Sequence, residues 1–323
     1  MNKKYNLAKN LFNKEDLEQK KMRDGAGIGV REAGKEHDDI VVLSADTAGS
    51  ARASYFAEEF PDRFIECGVA EQNMIGLTAG LSYQGKTPYP ITYAAFLIGR
   101  AWEPIRTTLS YPNNHAVLVS SHAGLATGPD GPTHQMTEDI ALTRSLPNFT
   151  VICPADFEQA KKATQAAYGL EGPVYIRNTR PATTVFTTKD PPFEVGKAQV
   201  LRKGEELTAI SHGYPVYRLL QIAKELEGNV DIEVINLHTI KPLDEEAILK
   251  SAKKTGKVFT VEDHQLAGGM GSAVSELLSQ KNPVPIKMHG VQDEYAESGS
   301  PQAIWEKYGL DKEGIKSKLS ELI

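Results

Sequence analysis

Short, continuously apolar runs alternate along the chain with longer stretches of helical periodicity. The run IVVLSAD, residues 40–46, is flanked by charge and predicts a short strand covered on both faces, as in a parallel sheet. Comparable runs at 64–67, 89–93, 116–121, 150–153 and 174–177 predict further strands. Helical spacing predicts helices over 15–37, interrupted by Gly25, Gly27 and Gly29, and over 72–83, 96–109 and 156–168. A threonine-rich stretch with Asp190-Pro191-Pro192 breaks the pattern at 181–196, because proline stops helices and weakens central strands. The alternation then resumes, with strands at 207–210, 232–237, 258–262 and 285–288. Helices are expected at 216–226, at 244–254 behind an Asp244 cap, at 271–278 and in the tail 300–323. Alternating strands and helices predict an α/β protein of two doubly wound domains, the first on a mostly parallel sheet and the second smaller. The expected division is a polar lead-in at 1–20, a first domain at 21–185, a linker at 186–196 and a second domain at 197–323.

Composition narrows the function classes. Acidic residues outnumber basic ones, 42 to 36, so no basic nucleic-acid-binding stripe is expected. No apolar run approaches the ~18 residues of a membrane helix, so no membrane role is expected. Two cysteines, Cys67 and Cys153, supply neither a disulfide framework nor a metal site. The charged start lacks the apolar core of a secretion signal, and a cytoplasmic location is expected.

Three segments stand out chemically. His122 to Gln135 follows a predicted strand, at the edge where α/β sheets bind ligands, and carries His122, Asp130 and His134 on a backbone fixed by glycine and proline. Glu71 stands where a strand gives way to an apolar helix, a position that a helix dipole alone would explain. Tyr93 and Phe96 close another strand, as core aromatics commonly do. Gly25, Gly27 and Gly29 lack the third fingerprint glycine and precede the first strand, so they do not read as a dinucleotide loop. Gly268-Gly269-Met270-Gly271 reads as a tight strand-to-helix turn, and Glu262-Asp263-His264 as a strand end.

Taken together, GVAEQNM, TYAAF…GRAWEPIR, SHAGLATGPDGPTHQ, VYIRNTRPAT and VEDHQLAGGMGSAV, in this order, resemble the transketolase family of thiamine-diphosphate enzymes. The resemblance runs from about residue 21 to near the end and covers the family's pyrimidine-binding and C-terminal domains. It implies the C-terminal half of a split transketolase of the pentose phosphate pathway. The expected partner is an N-terminal, diphosphate-binding subunit that binds magnesium or calcium, in a heterotetramer built on a dimer of this chain. The implied reaction transfers a two-carbon ketol unit from a ketose phosphate to an aldose phosphate.

By the same resemblance Glu71 hydrogen-bonds the cofactor's pyrimidine ring and favours its imino tautomer, and Tyr93 and Phe96 line the pyrimidine pocket. Asp46 lies beside the cofactor. One extra residue near Gly99 brings the next pocket position to Arg100. Arg23, Ser50, His122 and Arg177 match phosphate-side substrate positions, while Asp130 and His134 match contacts to the sugar hydroxyls, His134 beside the reacting carbons. The second domain is expected to hold no catalytic residue, and this chain no metal ligand. Three other readings stand beside this one: a relative of deoxyxylulose-phosphate synthase, the beta subunit of a 2-oxo acid dehydrogenase, and a non-catalytic partner-binding subunit. The joint presence of Glu71 and the sugar-phosphate positions argues against the last, since a scaffold does not require them together.

Overall fold

A computed structural model describes residues 7–323. The first sheet has seven strands in the spatial order Thr239–Lys241, Thr150–Ile152, Pro173–Arg177, Ala116–Ser121, Thr87–Tyr93, Ile40–Ser44 and Phe64–Glu66. All neighbours are parallel except the outermost pair, in which Thr239–Lys241 runs antiparallel to Thr150–Ile152. Strand alternation sends Val117 and Val119 to one face and Ala116 and Leu118 to the other. Val117 and Val119 join a core with Val30 and Phe56, while Ala116 and Leu118 join one with Met74, Ile75 and Leu97. Both faces are therefore covered, which explains the uninterrupted apolar runs. The second sheet has five strands in the order Ile286–Val291, Val258–Gln265, Leu207–Ser211, Ile232–Asn236 and Gln199–Arg202, with only the last antiparallel.

The two sheets share a core. Ile210, Ile235 and Ile248 pack in the same cluster as Leu118, Val151 and Tyr175. Buried amides also bridge the halves: Gln159 Nε2 donates to Gln199 Oε1 (2.7 Å), and Asn236 Nδ2 donates to both side-chain oxygens.

Several expected elements differ. The first long helix is Met22–Glu36; residues 19–21 instead form a strand, Gln19–Lys21, antiparallel to Ala182–Thr184. The glycines do not interrupt this helix. A Cβ on Gly25 would lie 2.3 Å from the Phe157 carbonyl oxygen, and one on Gly29 would lie 2.6 Å from that of Lys161. Gly25 and Gly29 form the groove into which the helix Phe157–Ala166 packs, while Gly27 faces Arg52 and Tyr55. Residues 96–109 form a helix of mixed pitch, with π-turns at Ala95–Arg100 and Ile105–Ser110 around Trp102–Pro104. A π-turn is how a helix absorbs one extra residue, and the first includes Gly99, near which the resemblance implies one. The tail forms two helices, Pro301–Lys307 and Lys312–Ser320. Among the described residues no helix is long and apolar enough to cross a membrane.

Candidate active site

The residues singled out in the sequence gather at the carboxyl ends of the parallel strands. Tyr93 ends its strand opposite Ser121 in parallel register. The next residue, His122, has φ +63°, which turns its ring over Tyr93 at a centroid distance of 3.8 Å. Arg23, on the first turn of Met22–Glu36, reaches the same place. Its Nη1 donates to the Ser50 carbonyl (2.9 Å) and lies 3.4 Å from His122 Nε2. A guanidinium only donates, so Nε2 accepts, and Nδ1 donates to Ser121 Oγ (2.9 Å). Burial, with Arg23, Arg180 and His134 nearby, pushes the His122 pKa down to about 3, so its ring is neutral. Tyr93 Oη donates to Ser50 Oγ (2.8 Å), which closes the group.

Aromatic rings extend this cluster toward Glu71. Phe96 lies 5.9 Å from Tyr93, and His134 stands edge-on to Phe96 at 5.2 Å and to Tyr93 at 6.3 Å. His134 Nδ1 is engaged with Thr133 Oγ1 at 2.9 Å, which leaves Nε2 available. The Arg100 guanidinium sits 4.8 Å from the Phe96 ring centre and donates to Glu71 Oε2 at 2.6 Å. Glu71 opens the helix Glu71–Tyr83 and is almost wholly buried, although Arg100 is half exposed. Arg100 is the one hydrogen-bonding partner of this carboxylate among the described residues. Asp46 (φ +56°) and Asp130 are exposed, and neither side chain makes a hydrogen bond among the described residues. The Asp46 backbone is held by Glu66 Oε1 (2.7 Å).

Arg177 is not with this group, contrary to the expectation of a phosphate contact. Tyr175 and Arg177 share one face of the strand Pro173–Arg177, and both bond the buried Asp139 (2.6 and 2.8 Å). Arg177 Nη2 donates to the Asp263 carbonyl (2.8 Å), so its guanidinium is spent between the domains. Arg180, which the sequence reading passed over, lies beyond the strand end. Its guanidinium donates to the Thr127 carbonyl, and its charge acts on both Arg23 and His122. The signal was there in IRNTR: of two arginines three apart, only the second escapes the strand. Arg23 and Arg180 have no carboxylate partner among the described residues, and Arg23 Nε is buried without any partner. Two guanidiniums without a carboxylate partner can attract an anion to this place.

This set also fits the aminopyrimidine of thiamine diphosphate: a buried carboxyl joined through Arg100 to half-buried aromatic rings. Among the described residues no cluster of acidic, histidine or cysteine side chains could hold a metal ion.

Residues 18–185 match the family description "Transketolase, pyrimidine binding domain", and residues 196–315 match "Transketolase, C-terminal domain". The chain is 41% identical over 307 residues to a putative transketolase C-terminal section of Methanocaldococcus jannaschii, covering 94% of this chain and 96% of that one. It is 37% identical over 294 residues to one of the subunits of the apulose-4-phosphate transketolase of Phocaeicola vulgatus, covering 90% and 94%. A solved structure described as a split gene transketolase, inactive beta4 tetramer, superposes with a TM-score of 0.87 at 40% identity, covering 93% of this chain and 97% of that one. Matches across both domains, and relatives covered almost end to end, show that this chain belongs to the transketolase family.

Proposed function

We propose that this chain is the C-terminal subunit of a split, thiamine-diphosphate-dependent transketolase, which moves a two-carbon ketol unit between sugar phosphates. The observation that carries the reading is the unbroken series of contacts from Glu71 through Arg100, Phe96, His134, Tyr93 and His122 to Arg23. One end suits a pyrimidine and the other a phosphate. The cofactor, when bound, supplies the electron sink that lets a carbon–carbon bond break beside a carbonyl. The chain's own residues do the rest. Glu71 would hold a proton at the pyrimidine ring nitrogen, and Tyr93 and Phe96 would supply the aromatic side of its pocket. Arg100, bonded to Glu71 and lying over Phe96, borders the pyrimidine position. His134 Nε2 serves the hydroxyl at the reacting carbons, and Asp130 reads a further hydroxyl. Arg23 and Arg180 would hold the terminal phosphate, beside His122 and Ser50, whose own hydrogens go to Ser121 and Thr47, and Asp46 would border the cofactor.

A partner subunit carrying the diphosphate-binding half, with its magnesium or calcium, completes the site. Support comes from the outer face of Glu71–Tyr83. Leu77 is 41% exposed there and Val69, just before the helix, 70%. A Cβ on Gly76 or Gly80 would meet nothing within 4 Å, so a second backbone can approach closely. The test is ketol transfer by this chain alone and after mixing with a diphosphate-binding transketolase subunit. Turnover only in the mixture is expected, and robust turnover by the chain alone would overturn the reading.

A further inference from the structure

The loop that carries His122 and His134 is seated on the second domain. Leu125 and Ala126 pack in one cluster with Tyr214, Val291 and Trp305. Gln135 Nε2 donates to the Glu297 carbonyl (3.0 Å), and Gln265 N–H donates to that of Thr137 (2.7 Å). At the centre is Asp263, near the end of the strand Val258–Gln265. Its Oδ1 accepts from the Leu125 N–H (2.9 Å). Its Oδ2 lies where a Cβ on Gly124 would come within 2.1 Å, and Gly124 has φ +82°, so the carboxylate presses on backbone that only glycine accommodates. Gly124 in turn exchanges backbone hydrogen bonds with Met136 (2.7 and 3.3 Å), which joins the two ends of the loop. One carboxylate thus grips the chain two residues after His122 and, through Met136, two residues after His134.

We propose that Asp263 is a positioning residue of the ketol-transfer site, supplied by the second domain to fix the base of the loop that presents His122 and His134. This rests on the functional reading above and gives the second domain a part in substrate recognition. The placement is costly to the fold: Oδ2 has no hydrogen-bonding partner, and burial pushes the carboxyl up to about 6 despite Arg177 nearby. A buried carboxyl that costs stability is more readily explained by what it positions than by what it stabilises.

The test uses the assembled complex. Asp263→Ala removes the acceptor and should lower kcat/KM about tenfold, mostly through KM, as expected for a lost charge-assisted bond. Asp263→Asn keeps an acceptor for Leu125 and should restore near-parental kinetics. Amide exchange should quicken at Gly124, Leu125 and Met136 in the alanine variant, while residues 258–262 stay protected. Gly124→Ala attacks the same contact from the loop side and should reproduce the loss, which keeps the test open if Asp263→Ala does not fold. Parental KM and exchange in Asp263→Ala or Gly124→Ala, or an asparagine variant as impaired as the alanine one, would overturn the proposal. The exchange measurement needs no turnover, so it still decides whether Asp263 holds the loop if the parent complex transfers no ketol and the functional reading fails.

Discussion

Two arginines three residues apart, Arg177 and Arg180, meet different fates because one lies inside a strand and the other past its end. Arg177 is locked to Asp139 within the protein, whereas Arg180 joins Arg23 and His122 at the cleft. Arg180→Ala should therefore raise the KM for erythrose 4-phosphate roughly 10- to 100-fold, the worth of one charge-assisted bond, and leave the acceptor glycolaldehyde nearly unaffected. Arg177→Ala should instead destabilise the fold by about 3–5 kcal/mol, because it strands the buried Asp139 carboxylate. Steady-state kinetics with both acceptors and thermal melts of both variants check the pair. If Arg177→Ala alone showed a phosphate-selective defect in a stable protein, the assignment would be reversed. Much of the site was legible: Glu71, Tyr93, Phe96, His122, His134 and Arg23 are joined by contacts. Asp46 and Asp130 lie at exposed loop positions, and no side-chain bond ties them to the cluster. The resemblance could locate a motif containing two arginines, but only the strand boundary could decide which of them faces the cleft.

Elements with a strong period could be read, and those decided by distant partners could not. The strands Ala116–Ser121 and Ile40–Ser44 were visible because burial on both faces leaves a continuous apolar run. Thr239–Lys241 is three residues long and exists because it pairs with Thr150–Ile152, nearly ninety residues away. Gln19–Lys21 likewise depends on Ala182–Thr184. Glycines in a helical pattern look like interruptions until the facing backbone is known. The helix Met22–Glu36 keeps Gly25 because the Phe157 carbonyl occupies the space of a side chain. Gly25→Ala should cost about 1–3 kcal/mol by overpacking. Gly76→Ala, with open space around it, should raise the melting temperature of the isolated chain slightly, since alanine favours a helix over glycine. Thermal melts of both variants check this. Equal destabilisation of the two would contradict the packing account.

The whole molecule carries a pH signature. His122, His212 and His238 are each pushed from 6.5 to about 3, chiefly by burial. The unfolded chain takes up protons on these residues near pH 6.5 while the folded chain does not, so their contribution to stability is lost as pH falls from 6.5 toward 3. Asp263, raised from 3.8 to about 6, works in the opposite direction and gains stability as pH falls through 6. His264 and His289 are lowered as well and Glu262 is raised, so five buried histidines oppose two buried carboxyls, and the melting temperature should fall on acidification from about pH 7.5 to about pH 4.5; a rise would contradict the buried, neutral state of the histidines. Assembly has its own test. Leu77→Arg places a charge on the exposed face proposed for the partner and should abolish co-elution with the diphosphate-binding subunit while the chain's own helicity is kept. In the proposed assembly this chain supplies the carboxyl that activates a cofactor anchored by another subunit. Hydrogen–deuterium exchange at the thiazolium carbon of thiamine diphosphate tests it most directly, in the assembled complex with Glu71 and with Glu71→Gln. Exchange slowed roughly 10²-fold or more is expected in the glutamine variant, on the scale of a lost acid–base group, whereas exchange at the parental rate would overturn the role of Glu71.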